Sequence, residues 1–103
     1  MQLTDEILLS ARNYLNITWN DAEENKKISG ILSRGMRYLD HIAGTELDYE
    51  VEDDPRALLF EYARYARADA LDEFQGNYLH ELLGLQIREE VNRYDSEQEN
   101  ADV

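Results

Sequence analysis

The sequence is short of the residues that most often carry chemistry or cross-links. Its 103 residues include no cysteine, one proline and two histidines. The absence of cysteine excludes disulfides, thiolate nucleophiles and iron–sulfur clusters. No apolar run approaches the ~20 residues of a membrane span, and residues 1–6 lack the basic start of a secretory signal. We therefore expect a soluble protein with no membrane partner.

The residues that are present favour one folded domain. Hydrophobic residues make up 43% of the chain and aromatic residues 10%, which is enough apolar surface for a core. A chain of this length is typical of a single domain. We predict a helical domain over residues 1–94, followed by a disordered acidic tail over residues 95–103.

Acidic residues outnumber basic ones by 23 to 10, and the excess lies in two segments. Residues 45–54 contain six acids and residues 95–103 contain four, with no base in either segment. Outside these segments the chain has 13 acidic and 10 basic residues, so its net charge there is close to balanced. Because nucleic-acid binders present positive charge to phosphates, direct binding of DNA or RNA is disfavoured.

Helix signals begin with two well-marked segments. Thr4 is a predicted N-cap of a first helix that ends near Asn16. The second helix is predicted from Asp21, its cap, to Gly44, which suits a left-handed end. Gly35 lies on the apolar stripe of the second helix, so another backbone is expected to approach it closely. In the loop between these helices, Ile17 and Trp19 are expected to pack back onto the core.

The second half of the chain predicts a third helix and a short fourth one. Asp54 and Pro55 form a cap and first-turn pair, and the apolar pattern continues to about Gln75. A break at Gly76 and Asn77 precedes residues 78–87, which form either a short fourth helix or a helical turn that leads into an extended strip. The predicted fold class is therefore all-α, a compact bundle of three main helices plus a short fourth, with an extended acidic connection and a disordered C-terminal tail.

The connection between the second and third helices has a different period. Leu47, Tyr49 and Val51 alternate with acidic residues, which is typical of extended backbone. The segment is either an ordered loop packed on the helices or a strand that pairs with a partner.

None of the common catalytic or ligand-binding signatures occurs. Tyr38 and Asn77 precede His41 and His80 by three positions, which excludes a Glu-x-x-His metal pair. Residues 48–59 lack the glycine and the final glutamate of a calcium-binding EF-hand. The five glycines are isolated, so no phosphate-binding loop is present. We predict no enzyme, no metal and no cofactor.

Two arginine pairs, Arg34 with Arg37 and Arg64 with Arg67, each place two guanidiniums on one helix face. One interpretation is local ion pairing, for example of Arg37 with Asp40 or of Arg64 with Glu61. The other is that these arginines receive acidic residues of a neighbouring subunit. The two interpretations remain open at this point.

The order of these elements resembles the head–tail connector, or adaptor, proteins of tailed double-stranded DNA phages and prophages. The resemblance covers most of residues 3–86 and is carried by helix signals and aromatic spacing: Leu15–Ile17, Asp21–Leu32, Tyr38–Gly44, Leu58–Tyr65 and Asp72–Tyr78. It implies a small helical subunit without a catalytic centre, in a ring of about twelve copies between the portal protein and a tail-completion or stopper protein. DNA would pass through the channel without specific binding, and the subunit would be in the host cytoplasm before assembly and in the virion afterwards.

In a ring, the acidic segment of one subunit could contact basic residues of the next. The interface hypothesis places Glu46, Asp48, Tyr49, Glu50, Val51 and Glu52 of one subunit against Arg34, Arg37, Arg64 or Arg67 of the next. Reversing Arg64 and Arg67 to glutamate is expected to abolish assembly on the portal.

Two other classes of function remain as alternatives. An acidic DNA mimic would occupy a nucleic-acid-binding protein of the host, and its support is the small size and the net charge of −13. A helical regulatory protein, such as an antitoxin, would fold its tail on a target protein.

Overall fold

Five α-helices make up most of residues 1–101, the part of the chain that the computed structural model describes, with side chains described through residue 98. They are α1 (Asp5–Tyr14), α2 (Ala22–Ala43), α3 (Asp54–Arg67), α4 (Leu71–Asn77) and α5 (Leu79–Ala101). No strand occurs within residues 1–101. The predicted all-α class is confirmed.

The helix ends follow the local signals closely. The Thr4 side chain accepts a hydrogen bond from the Ile7 amide, and the Asp21 side chain accepts one from the Glu23 amide. Gly44 ends α2 with φ of 73°, a left-handed conformation that glycine adopts without strain. The cap of α3 is Asp53, one residue before the predicted Asp54.

Helices α2 and α3 form the centre of the fold and meet closely at Gly35. A Cβ atom at this position would lie 2.7 Å from Cδ1 of Tyr62 and 2.9 Å from Cδ1 of Leu59. The contact at Gly35 is close, but the three nearest atoms belong to the side chains of Tyr62 and Leu59 and not, as the sequence predicted, to a backbone. Around this contact the core includes buried residues from α1, α4 and α5: Ile7, Ala11, Phe74, Leu82 and Leu85.

The third helix ends earlier than its apolar pattern predicts, and the continuous helix to Gln75 is wrong. Asp69 has φ of 54°, and the Ala70 amide donates to the Tyr65 carbonyl oxygen at 2.9 Å, which reverses the chain between α3 and α4. The reversal brings the centroid of the Phe74 ring to 5.1–6.1 Å from those of four tyrosine rings: Tyr38, Tyr62, Tyr65 and Tyr78. Burial of Phe74 among these rings stabilises a break that helical periodicity does not reveal.

The last helix is longer than predicted and crosses the predicted domain boundary. Helix α5 continues through residues 95–101, where we expected a disordered tail, whereas Asp102 and Val103 lie outside the described residues. The physical reason is that glutamate, glutamine and arginine are good helix formers, and that a helix already anchored by Leu82 and Leu85 adds residues without a new nucleation cost.

The loop between α1 and α2 buries one of the two apolar side chains expected there. Ile17 is buried, but Trp19 is 52% exposed. Asn16 has φ of 60°, which ends α1 and turns Ile17 into the core. The prediction is therefore correct for Ile17 and wrong for Trp19, whose carbonyl oxygen accepts a hydrogen bond from Arg12.

Candidate interaction surfaces

The acidic loop, residues 45–53, joins α2 to α3 and packs on the body of the protein. Leu47 and Tyr49 are buried, and the acidic residues between and after them are exposed. This arrangement matches the first interpretation of the period-two pattern, an ordered loop on the helices. Val51 departs from the pattern because it is 52% exposed.

The prediction that Tyr49 is an interface residue needs correction, because its side chain is fully buried within its own chain. Its hydroxyl donates to Oδ1 of Asp40 at 2.7 Å and lies 3.1 Å from the carbonyl oxygen of Met36. Asp40 also accepts from the Leu47 amide at 3.0 Å. Asp40 therefore holds the loop, and no ion pair joins it to Arg37 among the described side chains.

Replacing Tyr49 with phenylalanine is expected to lower the free energy of unfolding by about 1 kcal/mol, the usual net value of a hydrogen bond. Burial and the neighbouring Asp40 carboxylate raise the pKa of Tyr49 above its ordinary value of 10. A raised pKa stabilises the fold below pH 10, and this contribution is lost as the pH rises above it. Denaturant unfolding at neutral and alkaline pH should therefore show that the unfolding free energy of Y49F decreases less at alkaline pH than that of the wild type. An equal alkaline loss of unfolding free energy in both proteins would contradict the raised pKa of Tyr49, and an unchanged unfolding free energy at neutral pH would contradict the hydrogen bond.

Arg56 fixes the other end of the acidic loop, and the sequence analysis missed it. Its side chain is only 6% exposed and donates to the carbonyl oxygens of Tyr49 and Glu50, both at 3.2 Å. It also binds the Glu6 carboxylate at 3.0 and 3.2 Å, and this hydrogen-bonded pair raises the pKa of Arg56. One sequence signal was present: Glu52 precedes Arg56 by four residues, and the two form an ion pair at 3.4 Å.

A basic face runs along α2 and consists of Lys26, Lys27, Arg34 and Arg37, all exposed. Their spacings of about seven to eleven residues place them on one side of the helix. None of the four forms an ion pair with a described side chain. Arg34 and Arg37 were predicted to share this face, and helical spacing places the two lysines on it as well. A chain of net charge −13 thus carries a local positive surface.

The second arginine pair has partners within its own chain. Nε of Arg64 lies 2.6 Å from Oε2 of Glu61, which is the local pair expected for it. Arg67 reaches across to Glu24 of α2 at 3.1 Å. The role of Arg64 and Arg67 at a subunit interface remains a prediction, whereas Arg34 and Arg37 have no ion pair with a side chain described within residues 1–98.

Helix α5 leaves a line of apolar side chains uncovered. This outer stripe comprises Leu79, Leu83, Ile87, Val91 and Tyr94, which are between 45% and 61% exposed. Successive members are three or four residues apart, so they share one face of the helix. Leu82 and Leu85 on the opposite side are buried against the core. A continuous exposed stripe of this kind is typical of a surface that another protein covers.

The histidines and acidic side chains are dispersed in the part of the chain that the structure describes. Within it, no three histidine or acidic side chains lie close enough to hold a metal ion. Both His41 and His80 are exposed. None of the described helices is long and apolar enough to cross a membrane.

Comparisons with models of known protein families, with curated proteins and with solved structures find no match to this chain. The candidate surfaces for a function are therefore three: the exposed acidic loop, the basic face without an ion pair among the described side chains, and the outer apolar stripe.

Proposed function

We propose that the chain is a structural head–tail connector subunit of a tailed double-stranded DNA phage or prophage. In this proposal copies assemble as a ring between the portal protein and a tail-completion or stopper protein, and DNA passes through the ring without specific binding. The subunit is in the host cytoplasm before assembly and in the virion at the head–tail junction afterwards. It acts by contact and not by catalysis.

The observation that carries the proposal is the separation of opposite charges onto two surfaces of one chain. The acidic loop is held in place by Arg56 and by Tyr49, yet its carboxylates Glu50 and Glu52 remain exposed. The basic face of α2 has no partner among the described side chains. A contact between unlike, complementary surfaces is heterologous, and heterologous contacts close into rings when the rotation between subunits permits.

The outer stripe of α5 supports the same class of function. Isolated apolar side chains are common on protein surfaces, but five on one helix face favour burial against another protein. A ring subunit with proteins above and below it has that need. A DNA mimic requires only a carboxylate surface, so it leaves both the basic face and the outer stripe without a role.

The direct test is light scattering with negative-stain microscopy on the purified protein, alone and mixed with the portal and tail-completion proteins encoded near its gene. The proposal expects rings, or a stable complex with the portal. A monomer that ignores the portal would contradict it. If that monomer instead binds a DNA-binding protein of the host, the DNA-mimic alternative replaces the proposal.

Charge reversal at Arg34 and Arg37 is expected to abolish assembly, because these exposed guanidiniums have no other ionic partner among the described side chains. The matched variant is Arg64→Glu with Arg67→Glu, which changes the net charge equally. The sequence alone predicted loss of assembly for it, but we now expect the smaller effect here, because these arginines are already paired with Glu61 and Glu24. Sedimentation of both variants with the portal measures the difference. Loss of assembly confined to the Arg64 and Arg67 variant would move the interface to α3.

A further inference from the structure

We propose that the cleft between α3 and α5 binds a basic, amphipathic segment of a partner protein. The cleft has a volume of about 330 Å³ and is lined by residues of these two helices and of the α4–α5 junction, among them Leu58, Glu81, Leu85 and Arg88. This inference is independent of the ring proposal, since a chain that never forms a ring retains the cleft.

The two helices run antiparallel along the cleft. Arg88 of α5 lies 3.5 Å from Asp53 and 3.8 Å from Asp54, at the start of α3. At the other end Tyr78, just before α5, faces Glu61 in the second turn of α3. The polar groups therefore lie at the two ends of the cleft, and its middle is apolar.

Small side chains leave the middle of the cleft open. Leu58 and Leu85 are buried and form its floor, whereas Ala57 and Gly84 lie at its rim and are exposed. A Cβ atom at Gly84 would have no neighbour within 4 Å. The space accepts an aliphatic side chain or the methylene stem of a lysine or arginine.

The charge of the rim selects a cationic occupant. Of the three carboxylates that line the cleft, Asp54 lies 3.8 Å from Arg88 and Glu61 is paired with Arg64, which leaves Glu81. Glu81 is exposed and forms no ion pair with a described side chain. A lysine or arginine can place its stem on the apolar floor and its charge against Glu81, and an acidic segment would be repelled.

The surface next to the cleft indicates a helical segment and not a single small ligand. Ile87 and Val91 of the outer stripe follow Gly84 by one and two turns, so they share its side of α5. A helix seated in the cleft would extend along these exposed side chains. An amphipathic helix in a groove is a common mode of peptide recognition.

The test uses a fluorescein-labelled amphipathic peptide of about 15 leucine and lysine residues and fluorescence anisotropy on the full chain. A second peptide with glutamate in place of lysine is the charge control. We expect binding of the lysine peptide only, with an affinity that falls as salt is added. No binding of the lysine peptide, or equal binding of both peptides, would overturn the proposal.

Variants at two open glycines localise the binding. Gly84→Leu fills the cleft and is expected to weaken binding about tenfold or more. Gly76 lies on α4, and a Cβ atom there also has no neighbour within 4 Å. The Gly76→Leu variant should therefore bind the peptide as the wild type does. Glu81→Gln should weaken binding about threefold. Equal affinities for the two leucine variants would overturn the proposal. Dimerisation of the wild type that Gly84→Leu abolishes would also overturn it and assign the cleft to a second copy.

Discussion

Replacing Arg56 with methionine is expected to lower the free energy of unfolding by about 2–4 kcal/mol. Methionine retains most of the apolar stem, so the loss reflects polar contacts. The guanidinium donates to the carbonyl oxygens of Tyr49 and Glu50 and to the Glu6 carboxylate. Without it, these carbonyl groups lose a charged donor in a part-buried site. Equilibrium unfolding in urea, followed by circular dichroism, measures the change.

The same variant should change the response of the protein to acid. The hydrogen bond from Arg56 holds the pKa of Glu6 below its ordinary value of 4.5. A lowered pKa stabilises the fold above pH 4.5, and this contribution is lost as the pH falls through the lowered value. The Arg56→Met variant should therefore lose less stability than the wild type between neutral pH and this acidic range.

Arg64→Met is the matched control, because Arg64 is 54% exposed and its ion-pair partner is Glu61. Exposed pairs of this kind contribute about 0–1 kcal/mol. We expect a large decrease in unfolding free energy for the Arg56 variant and a small decrease for the Arg64 variant. Equal losses would contradict the role of Arg56 in holding the acidic loop.

Gly35→Ala is expected to lower the free energy of unfolding by about 1–3 kcal/mol, although alanine has the higher helix propensity. The added methyl group would lie 2.7 Å from Cδ1 of Tyr62 and 2.9 Å from Cδ1 of Leu59. The Leu59 methyl group can move, but the Tyr62 ring is packed against Tyr38 and Phe74. The contact between α2 and α3 therefore has to open slightly.

Gly84→Ala is the control, and its unfolding free energy is expected to change in the opposite direction. A Cβ atom there meets nothing within 4 Å, so the variant should gain up to about 1 kcal/mol from helix propensity alone. Thermal or urea unfolding of both variants tests the pair. Stabilisation by both substitutions would contradict the close approach at Gly35.

The sequence predicted the helix ends and a tight contact at Gly35 because these depend on local chemistry. Thr4, Asp21 and Gly44 satisfy backbone groups of their own helices, and Gly35 stands out on an apolar stripe. Phe74 shows what local signals miss. The reversal at Asp69 that buries this ring depends on tyrosines from other helices, and the pattern of α3 continues through it unchanged.

The charge of the candidate surfaces could be predicted from the sequence, but the contacts of their individual residues could not. Segregation of acidic residues identified the acidic loop, and helical spacing identified Arg34 and Arg37. The buried position of Tyr49 depends on Asp40 and Met36, and the role of Arg56 depends on Glu6, 50 residues away. The outer stripe escaped notice because an apolar residue on a helix has the same spacing whether it faces the core or another protein.

The most direct test of the proposed assembly is a complementary pair of charge variants. One subunit carries Arg34→Glu and Arg37→Glu, and the other carries Glu50→Lys and Glu52→Lys; light scattering, with the portal present, measures the mass of each alone and of their mixture. Contact between the acidic loop and the basic face predicts no assembly of either variant alone and restored assembly in the mixture, where unlike charges meet again. A mixture that stays unassembled, or variants that each assemble alone, would contradict it.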